Sequence, residues 1–478
     1  MPLRSTLILE MIFTSFVRKF CTITTIQLKT SLKAKLVQKM LSQNSEALNI
    51  FKQISVIPEL KILETIFTSN GYELRMAGGA VRDIMCGIQP NDIDFASNAT
   101  PDQMIRIMRD KDNIRLITTP SGERHGTVTA RINDKHQFEI TTLRIDKCTD
   151  GRHAEVVFVN DWKIDASRRD LTINSMFLDL NGILYDYFDG ENDLKNKRIR
   201  FVGDTASRIR EDYLRIFRYF RFHARFGSSQ THDLQTLSTI KSNCDGLQII
   251  SGERIWAEMK RILVIKNCEN VIDVMFNNIQ IGKHLGFKVN QRNANETQLS
   301  GDFSRDLSEF RKVLNNLMNG VNTGVMSGWE AYTLFAALIQ DSDELLDVTK
   351  RLKLSNYEKE CILYIIKNRE TLLNEDMKAL RSQLALTPKP NQNNLRKSII
   401  ECMKYCGLFS HISAISEWTI PEFPFTGHLI AGRVKKRTLI KDIINELKTF
   451  WAKTGFESTE EQLKEELERL LQSDRYKE

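Results

Sequence analysis

The sequence predicts an α+β protein in which a small mixed β-sheet head precedes a long all-α remainder. Three observations carry that prediction. Strand-like alternation broken by glycine turns is concentrated between residues 46 and 197. Beyond residue 198 this alternation fades, and apolar residues recur at helical spacing to the C-terminus. The head also opens with a glycine turn and a carboxylate pair, spaced as strand, turn, helix, turn, strand. The expected division is a leading segment over 1–45, a head over 46–197, a helical neck over 198–263, a helical body over 264–400 and a helical tail over 401–478.

At 478 residues the chain is long enough for several domains with a sizeable core. A net charge of +7 suits a polyanionic partner without requiring one. The 8 cysteines are scattered, and Cys402 and Cys406 have no second pair or histidine nearby, so free thiols are expected rather than a zinc site. No run of eighteen apolar residues occurs, so no membrane span is expected. The first 45 residues differ from the rest: Glu10 stands alone against Arg4, Arg18, Lys19, Lys29, Lys33, Lys35 and Lys39, with Ile12, Phe13, Phe16, Val17 and Phe20 at helical spacing. That is the composition of a mitochondrial transit peptide. Met11 and Met40 are later starts from which a form for the cytoplasm or nucleus would lack it.

Tyr72 to Met76 reads as a strand, and Gly78-Gly79 lets the backbone turn tightly and approach a ligand. Ala80 to Cys86 is helical in character, with Gly87 as its stop and Pro90-Asn91 as the following turn. The next strand carries Asp92 and Asp94. Two residues apart on a strand, both carboxylates would face one side, roughly 6–7 Å apart at Cα. Hard oxygens so placed suit divalent cations. An isolated D-x-D is common on solvated strands; its place after a glycine turn and Arg82 gives it weight.

Gly78-Gly-Ala-Val-Arg-Asp83 followed by Asp92-Ile-Asp94 resembles the first motif of the class II tRNA nucleotidyltransferases, the CCA-adding enzymes of the DNA polymerase beta superfamily. The resemblance runs from about Ile54 to the C-terminus and is closest to the eukaryotic mitochondrial type. It implies a nucleotidyltransferase head, two Mg²⁺ ions on Asp92 and Asp94, and CTP, ATP and tRNA as substrates. It also implies nucleotide contacts at Gly79, Arg82 and Arg169.

Further along the head, Thr100-Pro101 opens a helix as cap and first turn, and Thr119 to Gly126 is a polar connection. Thr127–Ile132 and Gln137–Leu143 alternate as strands. Glu139 is a candidate third carboxylate, equally well read as an arginine's partner, and is left out of the catalytic set. Ser167-Arg-Arg-Asp-Leu-Thr-Ile-Asn-Ser-Met176 resembles the second family motif. Its adjacent arginines repel and call for an anion, for which a triphosphate is the natural candidate. Asp170 and Asn174 are expected to fix local geometry or meet the ribose. The stretch from Asp186 to Phe201 resembles the third motif and would join head to neck.

The second decisive stretch is Arg210 to Arg225, where Glu211, Asp212 and Arg215 match the family's E-D-x-x-R, followed by Arg218 and Arg221. A helical spacing of three would align Asp212 with Arg215 and continue the arginines along one stripe. The alternative, a surface helix with one ion pair, does not account for the arginine file beside Leu214, Ile216, Phe217, Phe220 and Phe222. Cytosine and adenine share an exocyclic amino donor beside a ring-nitrogen acceptor. An aspartate accepts from the first and an arginine donates to the second. Uracil and guanine present the reverse polarity, and a polar site of this kind rejects wrong partners by factors on the order of 10⁴.

Ile250 to Leu263 resembles the last motif and would brace the neck. His232-Asp233 lacks the further partners of a metal phosphohydrolase and is read as incidental. In the tail, Arg433, Lys435, Lys436 and Arg437 precede a helix and are candidate tRNA-phosphate contacts, the alternative being a solvated charge run. Lys435-Lys436-Arg437 stands where the family usually has a glycine-bearing turn. The chain is therefore read as a mitochondrial CCA-adding enzyme, monomer or homodimer, with a poly(A) polymerase of the same family and a silent tRNA-binding protein as alternatives.

Overall fold

A computed structural model describes residues 45–149, 154–228, 232–288, 304–374, 376–425, 430 and 437–473. The leading segment and the residues Arg433, Lys435 and Lys436 lie outside these, and of Arg437 only the backbone is described. The chain forms two compact units, meeting in sequence at Ile250 and Ser251.

The first unit is built on one sheet of seven strands in the order β3-β4-β5-β2-β1-β8-β9. These are β1 (Leu74–Ala77), β2 (Asp94–Ser97), β3 (Ile114–Ile117), β4 (Thr127–Ile132), β5 (His136–Thr142), β8 (Phe177–Asp179) and β9 (Leu184–Tyr185). Only β2 and β5 run parallel, which makes the sheet mixed as expected. A separate hairpin pairs β6 (Arg144–Thr149) with β7 (Ala154–Phe158). Helices α1 (Ser45–Ser55), α2 (Pro58–Ser69), α3 (Gly79–Met85) and α4 (Pro101–Met108) accompany the sheet.

Alternation along the strands divides the core between the two faces. Leu74, Met76 and Phe95 pack with Leu63, Phe67, Val81, Ile84 and Met104 in the larger cluster. Ala77, Ala96 and Phe177 join Leu143, Trp162 and Ala166 in a smaller one. Helix α4 begins as read: Thr100 Oγ1 accepts from the Gln103 N–H at 3.4 Å, and Gln103 Oε1 accepts from the Thr100 N–H at 2.9 Å. The connection before β4 is not wholly irregular, since Pro120–Arg124 forms one helical turn.

A helix α5 (Trp162–Ser167) precedes β8, and past the sheet come α6 (Thr205–Glu211), α7 (Arg215–Phe226) and α8 (Leu234–Asn243). Asp212 lies outside the helices on either side, with extended backbone at φ −156°. Its Oδ1 accepts from the Leu214 N–H at 3.1 Å, a local bond that competes with helix continuation. The expected single helix carrying Asp212 and Arg215 three apart is therefore two helices with a break.

The second unit is helical among the described residues. It includes α9 (Gly252–Leu263), α10 (Ser308–Asn322), α11 (Ser342–Leu352), α12 (Asn356–Asn368), α13 (Lys389–Cys406), α14 (Arg437–Lys453) and α15 (Glu460–Gln472). Ile255, Met259, Ile262 and Leu263 of α9 are buried, as their spacing predicts. Cys361 and Cys402 are buried and Cys406 is half-buried, none of them in a disulfide. Ile443, Leu447 and Trp451 pack against Leu463, Leu467 and Leu470, which makes α14 and α15 a paired tail. Among the described residues no helix is long and apolar enough to cross a membrane.

Candidate active site

Gly78 closes β1 at φ 63°, ψ −117°, a conformation essentially reserved for glycine, and Gly79 begins α3. A Cβ on Gly78 would stand 2.9 Å from Arg169 Nη1, so the turn is shaped to let that guanidinium pass. The first and second motifs therefore meet at the glycine turn.

Asp94 starts β2, while Asp92 sits in the bend before it. The turn at Pro90-Asn91 thus runs on through Asp92, and the alternation argument applies to Asp94 alone. Asp94 is paired in register with Glu139 on the parallel strand β5. Neighbouring strands lie roughly 4.8 Å apart and paired residues share a face, so the two acids crowd. Asp94 is exposed at the start of β2, but desolvation of its carboxyl by the surrounding protein, followed by the like charges of Glu139 and Asp92, pushes its pKa up to about 6 against the opposing pull of Arg169. Among the described residues no three His, Cys, Asp or Glu side chains form a ready-made metal cage. The donor set is an open edge of hard carboxylate oxygens whose mutual repulsion a divalent cation would relieve, and so it fits Mg²⁺.

The twin arginines have an anion of their own. Asp165, buried on α5, accepts from Arg168 Nε on Oδ1 at 2.9 Å and from Arg169 Nη2 on Oδ2 at 3.2 Å. Burial alone would raise the Asp165 pKa, but the two guanidiniums hold it below the usual carboxylate value. Arg169 also donates through Nη1 to the Asn174 carbonyl at 3.3 Å and stacks over Phe177 at 4.8 Å. The repulsion read from the sequence is thus answered by Asp165 without a triphosphate, leaving Arg169 fixed within electrostatic reach of Asp94.

Arg82 is buried. Its Nε donates to Asp83 Oδ1 at 2.9 Å and its Nη1 to Asn174 Oδ1 at 2.7 Å, with Phe222 and Phe226 each 4.8 Å from the guanidinium. Asn174 in turn donates through Nδ2 to Asp170 Oδ1 at 3.2 Å, and Asp170 Oδ2 accepts from Arg218 Nε at 2.6 Å. A second tie joins Arg225 to Asp83 at 3.5 Å. One polar chain therefore runs from α3 through the second motif to α7. Arg82, Asp170 and Asn174 are its links, and it anchors the arginine-bearing helix to the head.

On α7 the residues Ile216, Phe217, Tyr219, Phe220 and Phe222 are buried, while Arg215, Arg218 and Arg221 are half-buried. Arg221 lies over Phe222 at 4.6 Å. Arg215 bonds to Glu211 Oε2 at 2.7 Å, to the Arg208 carbonyl at 2.9 Å and to the Arg168 carbonyl at 3.3 Å. The Arg215 N–H donates to the Asp212 carbonyl at 3.0 Å, a backbone bond across the break between the helices. Sequence reasoning passed over Asp165, although its place three and four residues before the arginines is a helical pairing signal. It also passed over Arg208, and it set Glu139 aside because a pairing with an arginine reads equally well.

A mixed sheet with an acidic edge, fed by a glycine turn and a fixed arginine, defines a nucleotidyl-transfer head. Residues 74–200 match the family model described as "Poly A polymerase head domain", and residues 233–278 match "Probable RNA and SrmB- binding site of polymerase A". The chain is 41% identical over 412 residues to the mitochondrial CCA tRNA nucleotidyltransferase 1 of Mus musculus, covering 84% of this chain and 88% of that protein. The apo form II of a CCA-adding enzyme superposes with a TM-score of 0.64 at 21% identity, over 91% of this chain and 99% of that one. The Bacillus stearothermophilus CCA-adding enzyme in complex with CTP does so at 0.62 and 22%, over 86% and 98%. This chain belongs to the CCA tRNA nucleotidyltransferases.

Proposed function

We propose that the protein adds C, C and A to tRNA 3′ ends from CTP and ATP, selecting each base with its own side chains. The observation that supports this most is the meeting of Asp94, crowded by Asp92 and Glu139, with Arg169 at the glycine turn. Mg²⁺ held by Asp92 and Asp94, with Glu139 as a third ligand, would polarise the 3′-hydroxyl and offset charge on the departing pyrophosphate. Arg169, oriented by Asp165 and Asn174, is placed to meet phosphate oxygens in pairs. The Gly78-Gly79 turn lets the triphosphate approach the backbone. Asp212 accepts from the amino group of C or A, and Arg215 donates to the ring nitrogen through N–H groups that its Nη1 bonds to Glu211 and the Arg208 carbonyl leave over. Arg218 and Arg221 extend the cationic face along α7.

The deciding assay supplies a tRNA lacking CCA with CTP alone, ATP alone or both, and resolves products by length. Two additions with CTP and one more with ATP support the proposal; a long run of A with ATP alone supports the poly(A) polymerase reading instead. Asp212→Ala is expected to admit UTP and GTP in competition while total activity falls. Uniform loss with UTP and GTP still excluded would leave the base-edge reading without support.

Tail contacts to tRNA are assigned to Arg433, Lys435, Lys436 and Arg437, just before and at the start of α14. Neutralising all four should weaken tRNA binding and flatten its salt dependence by about one unit of slope or less per phosphate contact. Binding curves with the parent slope would mark the cluster as merely solvated. The basic first 45 residues support import into the mitochondrial matrix, with Met11 or Met40 as starts of a cytoplasmic or nuclear form. Fusion of residues 1–45 to a fluorescent reporter tests this, and a diffuse signal would count against it.

A further inference from the structure

We infer that Arg208 is a positioning residue for base selection, tying the base-reading Arg215 to the phosphate-holding Arg169 in one rigid joint. The inference rests on the base-edge reading of Asp212 and Arg215. Arg208 lies on α6, outside the groups assigned a role above, and it is buried. Its Nη2 donates to the Arg168 carbonyl and, at 2.6 Å, to the Arg169 carbonyl, and its Nη1 donates to Glu211. Glu211 also accepts from Arg215 at 2.7 Å, so a single carboxylate sits between two guanidiniums that would otherwise repel.

The backbone makes the same join. Arg215 donates to the Arg208 carbonyl at 2.9 Å and to the Arg168 carbonyl at 3.3 Å. Arg168 is the C-cap of α5, where the helix presents unpaired carbonyls that cationic groups satisfy. Arg208 Nε is buried without a hydrogen-bond partner among the described residues. A buried orphan donor is costly, and here it accompanies three bonds that only a planar fork makes at once. These bonds span the break at Asp212, the one place where the reading pair would otherwise move independently of the phosphate site.

The test is competition among all four nucleotides on a tRNA ending at the discriminator base, using the full chain as Arg208→Lys, Glu211→Gln and Arg215→Ala. Lysine keeps the charge but cannot hold two carbonyls and Glu211 together. The expected result is a rise of about tenfold in the UTP and GTP share, read as the ratio of kcat/KM values, in both Arg208→Lys and Glu211→Gln. A merely structural role would lower all four nucleotides alike and leave that ratio unchanged. A folded Arg208→Lys that selects like the parent, while Arg215→Ala does not, overturns the inference. Parent selectivity in Arg215→Ala overturns the base-edge reading, and this inference with it. Should Arg208→Lys fail to fold, Glu211→Gln decides, because its half-exposed side chain tolerates the change.

Discussion

Asp94→Asn and Asp92→Asn, made separately, are expected to abolish C addition and A addition together. An amide keeps the shape of the carboxylate but loses the charge that attracts a divalent ion. The metal's share of transition-state charge stabilisation is several kcal/mol, so kcat should fall on the order of 10³-fold or more. Binding of tRNA should change little. Loss of only one nucleotide would refute a shared site. The pKa of Asp94 adds a signature. Its value of about 6 is above the ordinary 3.8, so in the metal-free protein ionising Asp94 costs stability. The stability of the protonated form is therefore full below about 3.8 and is lost as pH rises from there through about 6. Mg²⁺ should bind the ionised form, so its stabilising effect on thermal unfolding should be large at pH 8 and small at pH 5. Asp94→Asn should erase most of that difference. An equal Mg²⁺ effect at both pH values in the parent would remove Asp94 from the metal site.

Asp165→Ala is expected to be the most destabilising single change in the head. It strips the shared anion from between Arg168 and Arg169 and leaves two like charges facing each other in a nearly closed space. Removing one partner of a buried ion pair typically costs about 3–5 kcal/mol. Urea unfolding of the variant, followed by tryptophan fluorescence, measures the loss. In the fraction that folds, Arg169 loses its brace, so KM for CTP and ATP should rise. A variant with parent stability would show that the arginines find their anion elsewhere.

Much of the architecture was legible because its signals are local. The Thr100 cap, the glycine turn, the β4–β5 alternation and the apolar face of α9 each follow from neighbouring residues. Two readings miss a side chain's nearest competitor. Asp212 is expected on a helix, but an aspartate readily bonds to the N–H two residues ahead, and it does so here. The substrate named for the twin arginines leaves out Asp165, which stands one helical turn behind them and holds both. What remained illegible is long-range. Nothing near Glu139 announces that a parallel pairing sets it beside Asp94. The Arg82–Asn174–Asp170–Arg218 chain likewise joins segments separated by up to 92 positions.

The absent side chain of Gly78 constrains how this sequence can change. Any replacement must adopt a backbone geometry that only glycine holds without strain, and must also displace the guanidinium of Arg169. Relaxing the second demand by altering Arg169 forfeits the cation within electrostatic reach of Asp94, and it leaves the first demand standing. No single step away from glycine is therefore rescued by any other single step. Drift at position 78 is closed off by a residue 91 places downstream, so two distant stretches of the chain must be inherited as one unit.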